Sequence, residues 1–221
     1  MVLLCSIFKL KTPFRLGPLA CVLVSLIALP HLRPQETGKP TQPMEDLPPH
    51  IRQITWFGER PVWAPDGKKL AFLSKSFGDA MEYELGSGRI RCLTCSFTHA
   101  GFLRVHYLSN GDYLLIGAAE FKNRDVSRNE EAELWVLRAD LATPPIRLGQ
   151  RLWEGVAVSR RKLRIAWSNT SRQYPERIPA TVSELYVADI EYADGEIRLV
   201  RKDKVHDSRG TRCWLRSEDV V

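Results

Sequence analysis

Over residues 51–205 the chain is a succession of short apolar runs with alternating polarity, each closed by turn-forming residues. Residues 60–74 show the pattern most clearly. An apolar stretch ends at Trp63, Pro65-Asp66-Gly67 follows, and from Lys69 the side chains alternate. Leu70 and Phe72 share one side of that run, Lys69 and Ala71 the other. A period of two marks a β-strand, because successive side chains leave opposite faces. The three residues between the runs make a tight turn. Proline fixes φ at the first corner, aspartate hydrogen-bonds its own backbone, and glycine accepts the left-handed conformation that closes the hairpin. Residues 51–55 are expected as a strand leading in. Residues 81–85 and 89–94 are expected as third and fourth strands around the Gly86-Ser87-Gly88 turn.

The pattern then repeats. Residues 103–117 carry strand, Ser109-Asn110-Gly111 turn and strand, with Gly111 placed 44 residues after Gly67. Residues 133–138 and 146–148 match the third and fourth strands. A third copy runs over residues 155–168 without proline, aspartate or glycine in its turn; Ile165 and Trp167 correspond to Leu70 and Phe72. Residues 183–189, the Ala193-Asp194-Gly195 turn and residues 196–200 complete it. Units of about 40–50 residues with four strands each are the signature of propeller blades. One such sheet cannot bury both faces alone, so neighbours must stack. Leu70, Phe72, Leu114, Ile116, Ile165 and Trp167 are the expected inter-blade core.

The fold class expected is therefore all-β: a partial β-propeller of about three four-stranded antiparallel blades. Residues 211–219 look like the start of a fourth blade, and residues 51–221 as a whole are assigned to the repeats. Closed propellers usually have four to eight blades.

The run Trp63-Ala64-Pro65-Asp66-Gly67-Lys68 resembles the Trp-Ser-Pro-Asp-Gly-Lys consensus of TolB-like, WD-like propeller repeats. Its fidelity falls from the first copy to the third. The same repeat builds the propeller domains of dipeptidyl peptidase and prolyl oligopeptidase relatives. The resemblance implies a propeller scaffold, with Pro65, Asp66, Gly67, Asn110 and Gly111 as turn and blade markers. It does not imply an enzyme, because a scaffold of this kind hosts many tasks.

Charge removes one class of function. The net charge is +6, but residues 1–34 hold Lys9, Lys11, Arg15 and Arg33 and no acid. The remainder, with 28 basic and 26 acidic residues, is nearly neutral. That is no surface for neutralising nucleic-acid phosphates.

The cations before residue 18 and the apolar run over residues 18–29 have the form of a secretory signal. No clear small-residue cleavage site follows, so an uncleaved signal-anchor is the alternative. Residues 1–33 are read as this leader helix. Five prolines within residues 34–49 make residues 34–50 an extended linker. The body is thus expected to be secreted or extracytoplasmic, with a membrane tether through residues 18–29 where the leader is retained.

Candidate chemistry is sparse. Cys92-Leu93-Thr94-Cys95 ends a strand rather than opening a helix, which disfavours a redox role and leaves a local disulfide between Cys92 and Cys95 as the functional reading. A structural zinc needs four ligands, and Cys213 is the one other body thiol. His50, His99, His106 and His206 are scattered, and no metal or cofactor is expected. Asn169-Thr170-Ser171 is a glycosylation sequon, with Asn169 the candidate acceptor. Residues 120–131 and 172–177 are polar insertions on one rim, where partners usually bind. Gly-x-Ser-x-Gly, Walker and His-Glu-x-x-His motifs are absent.

The expected function is a non-enzymatic binding module, exported or membrane-tethered, for a protein or glycan partner. The alternative is the propeller portion of a prolyl-oligopeptidase-type hydrolase, or a metal-dependent polysaccharide lyase. No catalytic residue is assigned.

Overall fold

The computed structural model describes residues 47–208. The leader, most of the linker, residues 211–219 and Cys213 lie outside the described residues. The described residues divide into two units, 47–52 and 53–208. In the first, Ile51 N–H donates to the Pro48 carbonyl at 2.8 Å. No helix among the described residues is long and apolar enough to cross a membrane.

The second unit holds three four-stranded antiparallel sheets, each with its strands in chain order. The first contains β1 (Glu59–Trp63), β2 (Lys69–Leu73), β3 (Ala80–Glu84) and β4 (Ile90–Cys92). The second contains β5 (Arg104–Tyr107), β6 (Tyr113–Gly117), β7 (Glu133–Leu137) and β8 (Ile146–Arg151), with helix α1 (Arg124–Asn129) between β6 and β7. The third contains β9 (Val156–Val158), β10 (Arg164–Thr170), β11 (Ser183–Ala193) and β12 (Glu196–Asp207). The all-β class and the four-strand units follow the sequence reading. Residues 51–55 do not: they form no strand.

The last hairpin is longer than expected. Asp194 and Gly195 both have positive φ, and pairing runs from Ala193↔Glu196 out to Glu184↔Asp207. The added length of β12 is highly charged, as suits the outermost strand of its sheet.

The first turns are closed by side chain as well as backbone. Asp66 Oδ1 accepts from Lys68 N–H at 2.9 Å, and Asn110 Oδ1 accepts from Asp112 N–H at 3.2 Å. In the third sheet Ser159 Oγ accepts from the N–H groups of Arg161 and Lys162, both at 3.3 Å. One hydroxyl thus replaces the lost Pro-Asp-Gly.

The second turn is one residue shorter than the others. Ala64 N–H donates to the Lys69 carbonyl, and Ser159 N–H to that of Arg164, but Leu108 N–H donates to that of Asp112. The one-residue loss exchanges the faces of β6 relative to β2 and β10. Tyr113 and Leu115, rather than Leu114 and Ile116, are the counterparts of Leu70 and Phe72.

Leu114, Ile116, Ile165 and Trp167 form the expected core between sheets, and the register corrects that expectation at Leu70 and Phe72. Ala71, Leu73 and Ala80 of the first sheet pack with Val105, Tyr113 and Leu115 of the second. Leu114, Ile116, Leu134 and Val136 on the other face of the second sheet pack with Ile165, Trp167, Tyr186 and Ala188 of the third. The stacking is head to tail: the same structural face of the second and third sheets meets its predecessor. Leu70 and Phe72 are buried too, but they cluster with Tyr83 on the face turned away from the second sheet. There Phe57 lies over Phe72, their ring centroids 5.9 Å apart.

Two devices lock the first interface beyond its apolar contacts. Phe77 N–H donates to the Phe102 carbonyl at 3.0 Å, and Phe102 N–H donates to that of Gly78 at 2.9 Å. Gly101, at φ +86, lets this bridge close: a Cβ there would lie 2.1 Å from the Phe77 carbonyl oxygen. The second device is Glu82, which is 3% exposed on β3. Its carboxylate accepts from Tyr113 Oη at 2.7 Å, Tyr107 Oη at 2.9 Å and Arg91 Nε at 2.7 Å. Burial pushes its pKa up, but the bonds from Tyr113, Arg91 and Tyr107 outweigh burial and hold it below the ordinary 4.5.

Three stability measurements check this packing. Leu115→Ala is expected to cost about 2–5 kcal/mol in denaturant unfolding, as a truncation in a closed core. Gly101→Ala should cost about 2 kcal/mol or more, because it adds strain at positive φ to a backbone overlap. Glu82→Gln should cost about 1–2 kcal/mol at pH 7, a figure discounted because the Arg91 side chain is 40% exposed. The folded pKa of Glu82 is depressed, so its contribution is fully present above 4.5 and is lost as pH falls through the folded value. The gap between wild type and Glu82→Gln should narrow below pH 4.5; a gap constant with pH would rule out this role for the carboxylate.

Candidate functional site

The first strand of every sheet contributes to one cavity of about 340 Å³. From the first sheet come Pro61, Val62, Trp63 and Pro65. The second gives His106, Tyr107 and Ser109, and the third gives Val158, Ser159 and Arg160. The volume lies within the range of small-molecule and peptide-segment pockets. The strands converge here because head-to-tail stacking sets β1, β5 and β9 beside one another at their C-terminal ends, next to the first turns.

Trp63 closes the apolar run of β1. The structure leaves it 55% exposed at this cavity. An indole so placed offers a large apolar contact at small conformational cost on binding. His106 is half-buried, and burial together with the Arg104 charge holds its pKa down to about 4. It is therefore neutral at physiological pH, able to donate through one ring nitrogen and accept through the other. Tyr107 is fixed by its bond to Glu82, and burial and that carboxylate push its pKa up, so the phenol stays protonated. Arg160 is exposed and supplies the cation.

Tyr107 also belongs to a second concavity. A groove of about 510 Å³ between the first two sheets is lined by Asp66, Lys69, Glu82, Arg91, Tyr107, Asn110, Gly111 and Tyr113, among others. The turn markers are thus surface residues of this end as well as fold formers. Pro65 lines both the cavity and the groove, while Asp66, Asn110 and Gly111 line the groove.

The polar insertions meet at the opposite end. Asn123 caps α1 by accepting from Asp125 N–H and Val126 N–H, both at 3.0 Å. Arg172, in the corresponding insertion of the third sheet, pairs with Asp125 and, at 2.8 Å, with Glu130. The rim loops brace each other there.

Cys92 and Cys95 are joined by a disulfide, with Cα atoms 5.7 Å apart. Asp79 lies beside them; these three residues form the one cluster of three or more metal-ligating side chains among the described residues. Asp79 is already engaged, accepting from Thr94 Oγ1 and lying against His99 Nε2, each at 3.0 Å. His99 Nδ1 accepts from Gly101 N–H at 2.9 Å, which places the ring proton of the neutral imidazole on Nε2. His206 is on β12, paired with Leu185, away from the first strands.

Asn169 is corrected. It lies within β10 and is 0% exposed. Its amide donates to the Arg151 carbonyl at 2.8 Å and accepts from Trp167 Nε1 at 3.0 Å. A glycan on Asn169 would have no space in the folded body and would break both bonds.

Sequence reasoning missed Glu82, Tyr107 and Arg160. A carboxylate between Met81 and Tyr83 at a strand position was the available signal for Glu82. Tyr107 and Arg160 carry no local signal, because their role comes from three strands meeting.

No family model matches the chain, and no curated protein sequence matches it. Among solved structures it is similar to a TolB structure from Agrobacterium tumefaciens, at 15% identity and a TM-score of 0.45, over 70% of this chain and 51% of that one. It is also similar to TolB from Acinetobacter baumannii, at 14% identity and a TM-score of 0.39, over 63% of this chain and 31% of that one. The chain spans about half or less of the length of these structures.

Proposed function

We propose that this body is a propeller-type, non-enzymatic binding module that receives a segment of a protein partner at the first-turn end. In this reading residues 1–33 carry it out of the cytoplasm, as a cleaved signal or as an anchor. Head-to-tail stacking of four-stranded sheets, with every first strand on one side, supports the propeller reading. The observation that carries the function is the cavity shared by β1, β5 and β9, with exposed Trp63 beside Pro61, Pro65, neutral His106 and cationic Arg160. An exposed aromatic next to prolines and a cation has the composition of a protein-binding hot spot. The same indole is a stacking surface for a sugar ring, so a glycan ligand is the second reading.

A photo-crosslinking residue at position 63 of the full chain tests the proposal. It should capture a discrete protein partner in the extracytoplasmic fraction, while the same residue at Trp153, also solvent-exposed at 40%, should not. With that partner purified, Trp63→Ala should weaken binding about 30-fold, as for a central aromatic anchor. Equal capture at both positions would remove the cavity from the reading. Binding abolished by free oligosaccharide would assign the glycan instead.

A further inference from the structure

The other end of the first strands concentrates a different chemistry. Arg60 in β1, Arg104 at the start of β5 and Arg128 on α1 converge on Glu154, in the loop before β9. Their Nη2 atoms lie 3.0, 3.5 and 3.7 Å from the same oxygen, Oε1. Arg60 also donates through Nη1 to the Leu103 carbonyl at 2.6 Å, which fixes its guanidinium. The next acid that Arg104 feels is Glu59, whose Oε1 already accepts from the Ser76 hydroxyl at 2.6 Å.

The three guanidiniums and the two carboxylates sum to an excess of one positive charge among these five groups. The excess sits in a partly closed place. Arg60, Arg128 and Glu154 are 18%, 19% and 23% exposed in their side chains, and Arg104, at 35%, is the most exposed of the four. Nε of Arg104 and Nε of Arg128 are both buried and donate to nothing among the described residues. A buried cationic donor without a partner is costly. Water can accept such a hydrogen bond, but it leaves the charge uncompensated.

We propose that Arg60, Arg104 and Arg128 form an anion site that takes a carboxylate. Planar guanidinium forks match the two oxygens of a carboxylate, and Glu154 already shows one carboxylate oxygen held by all three. An excess of one charge matches a singly charged carboxylate more closely than a doubly charged phosphate. The site lies at the opposite end of the first strands from the Trp63 cavity and stands independently of the function proposed there.

The Arg Nε–H resonances of the isotopically labelled full chain read this site directly. The probes are Ac-Gly-Glu-Gly-NH2, its Gln counterpart, free butyrate and inorganic phosphate. The Glu peptide or butyrate should shift the Arg104 and Arg128 signals saturably, and the Gln peptide should not. Preference for the peptide assigns an acidic protein side chain as the source; preference for butyrate assigns a free acid. Arg104→Ala should weaken binding at least tenfold. Glu154→Gln, which removes the internal competitor, should strengthen it about fivefold, a gain that a purely structural role for the cluster would not give. Should Arg104→Ala fail to fold, the Glu154→Gln titration decides alone. Saturation by phosphate without either carboxylate, equal binding of the Gln peptide, or no gain in Glu154→Gln would each overturn the proposal.

Discussion

The structure depends on the phase of side-chain alternation in the second strand of each sheet. A strand has two faces, and a one-residue change in the preceding turn exchanges them. The turn between β5 and β6 closes over one residue fewer than its two counterparts. β6 tolerates this because Tyr113, Leu114, Leu115 and Ile116 are all buried, so neither face is spoiled by facing either neighbour. The consequence reaches beyond packing. Tyr113 is turned toward the first sheet, where its hydroxyl meets Glu82. Tyr107 joins the same carboxylate from β5 and so becomes a fixed wall of the cavity. Turn length, sheet register and the shape of the candidate site are one constraint expressed at three levels.

The first strands separate two chemistries along their length. Their C-terminal ends carry proline, tryptophan and tyrosine beside a neutral histidine. Their N-terminal ends carry arginines gathered on one carboxylate. Arg104 and His106 belong to the same strand and point to the same side, and the Arg104 charge helps keep His106 unprotonated. The cationic end thus keeps its charge without passing it into the cavity.

Much of the fold was legible because turns and alternation are local. Asp66, Asn110 and Gly67 declare their hairpins through bonds to atoms two or three residues away. The face assignment of β6 was not legible, because a strand buried on both sides has no polar positions to set its phase. Asn169 was misread for a related reason. The sequon specifies a tripeptide, whereas its burial comes from Arg151 and Gln150 on a neighbouring strand. The arginine cluster was equally hidden. Positions 60, 104, 128 and 154 are far apart in the chain, and each reads alone as an ordinary surface charge.

The two outward faces of the stack show why alternation alone does not define a blade interface. On the first sheet that face is apolar: Leu70, Phe72 and Tyr83 are 7%, 4% and 7% exposed, and Phe57 lies over Phe72. On the third sheet the outward face is the opposite one of the strand plan, and it includes Arg164 and Asp189, which pair at 2.7 Å, with Arg201 reaching the other Asp189 oxygen at 2.6 Å. The arginines hold Asp189 to a pKa of about 2, and at 70% exposure Arg201 keeps its own hydration. An ion pair that stays wet on one side costs little to leave uncovered, whereas an apolar face in water would not. The segment before β1 therefore does on the first sheet what solvated charge does on the third. Among the described residues, one strand plan thus presents two kinds of outward face, and the residues at the outward positions of β2 and β10 decide which.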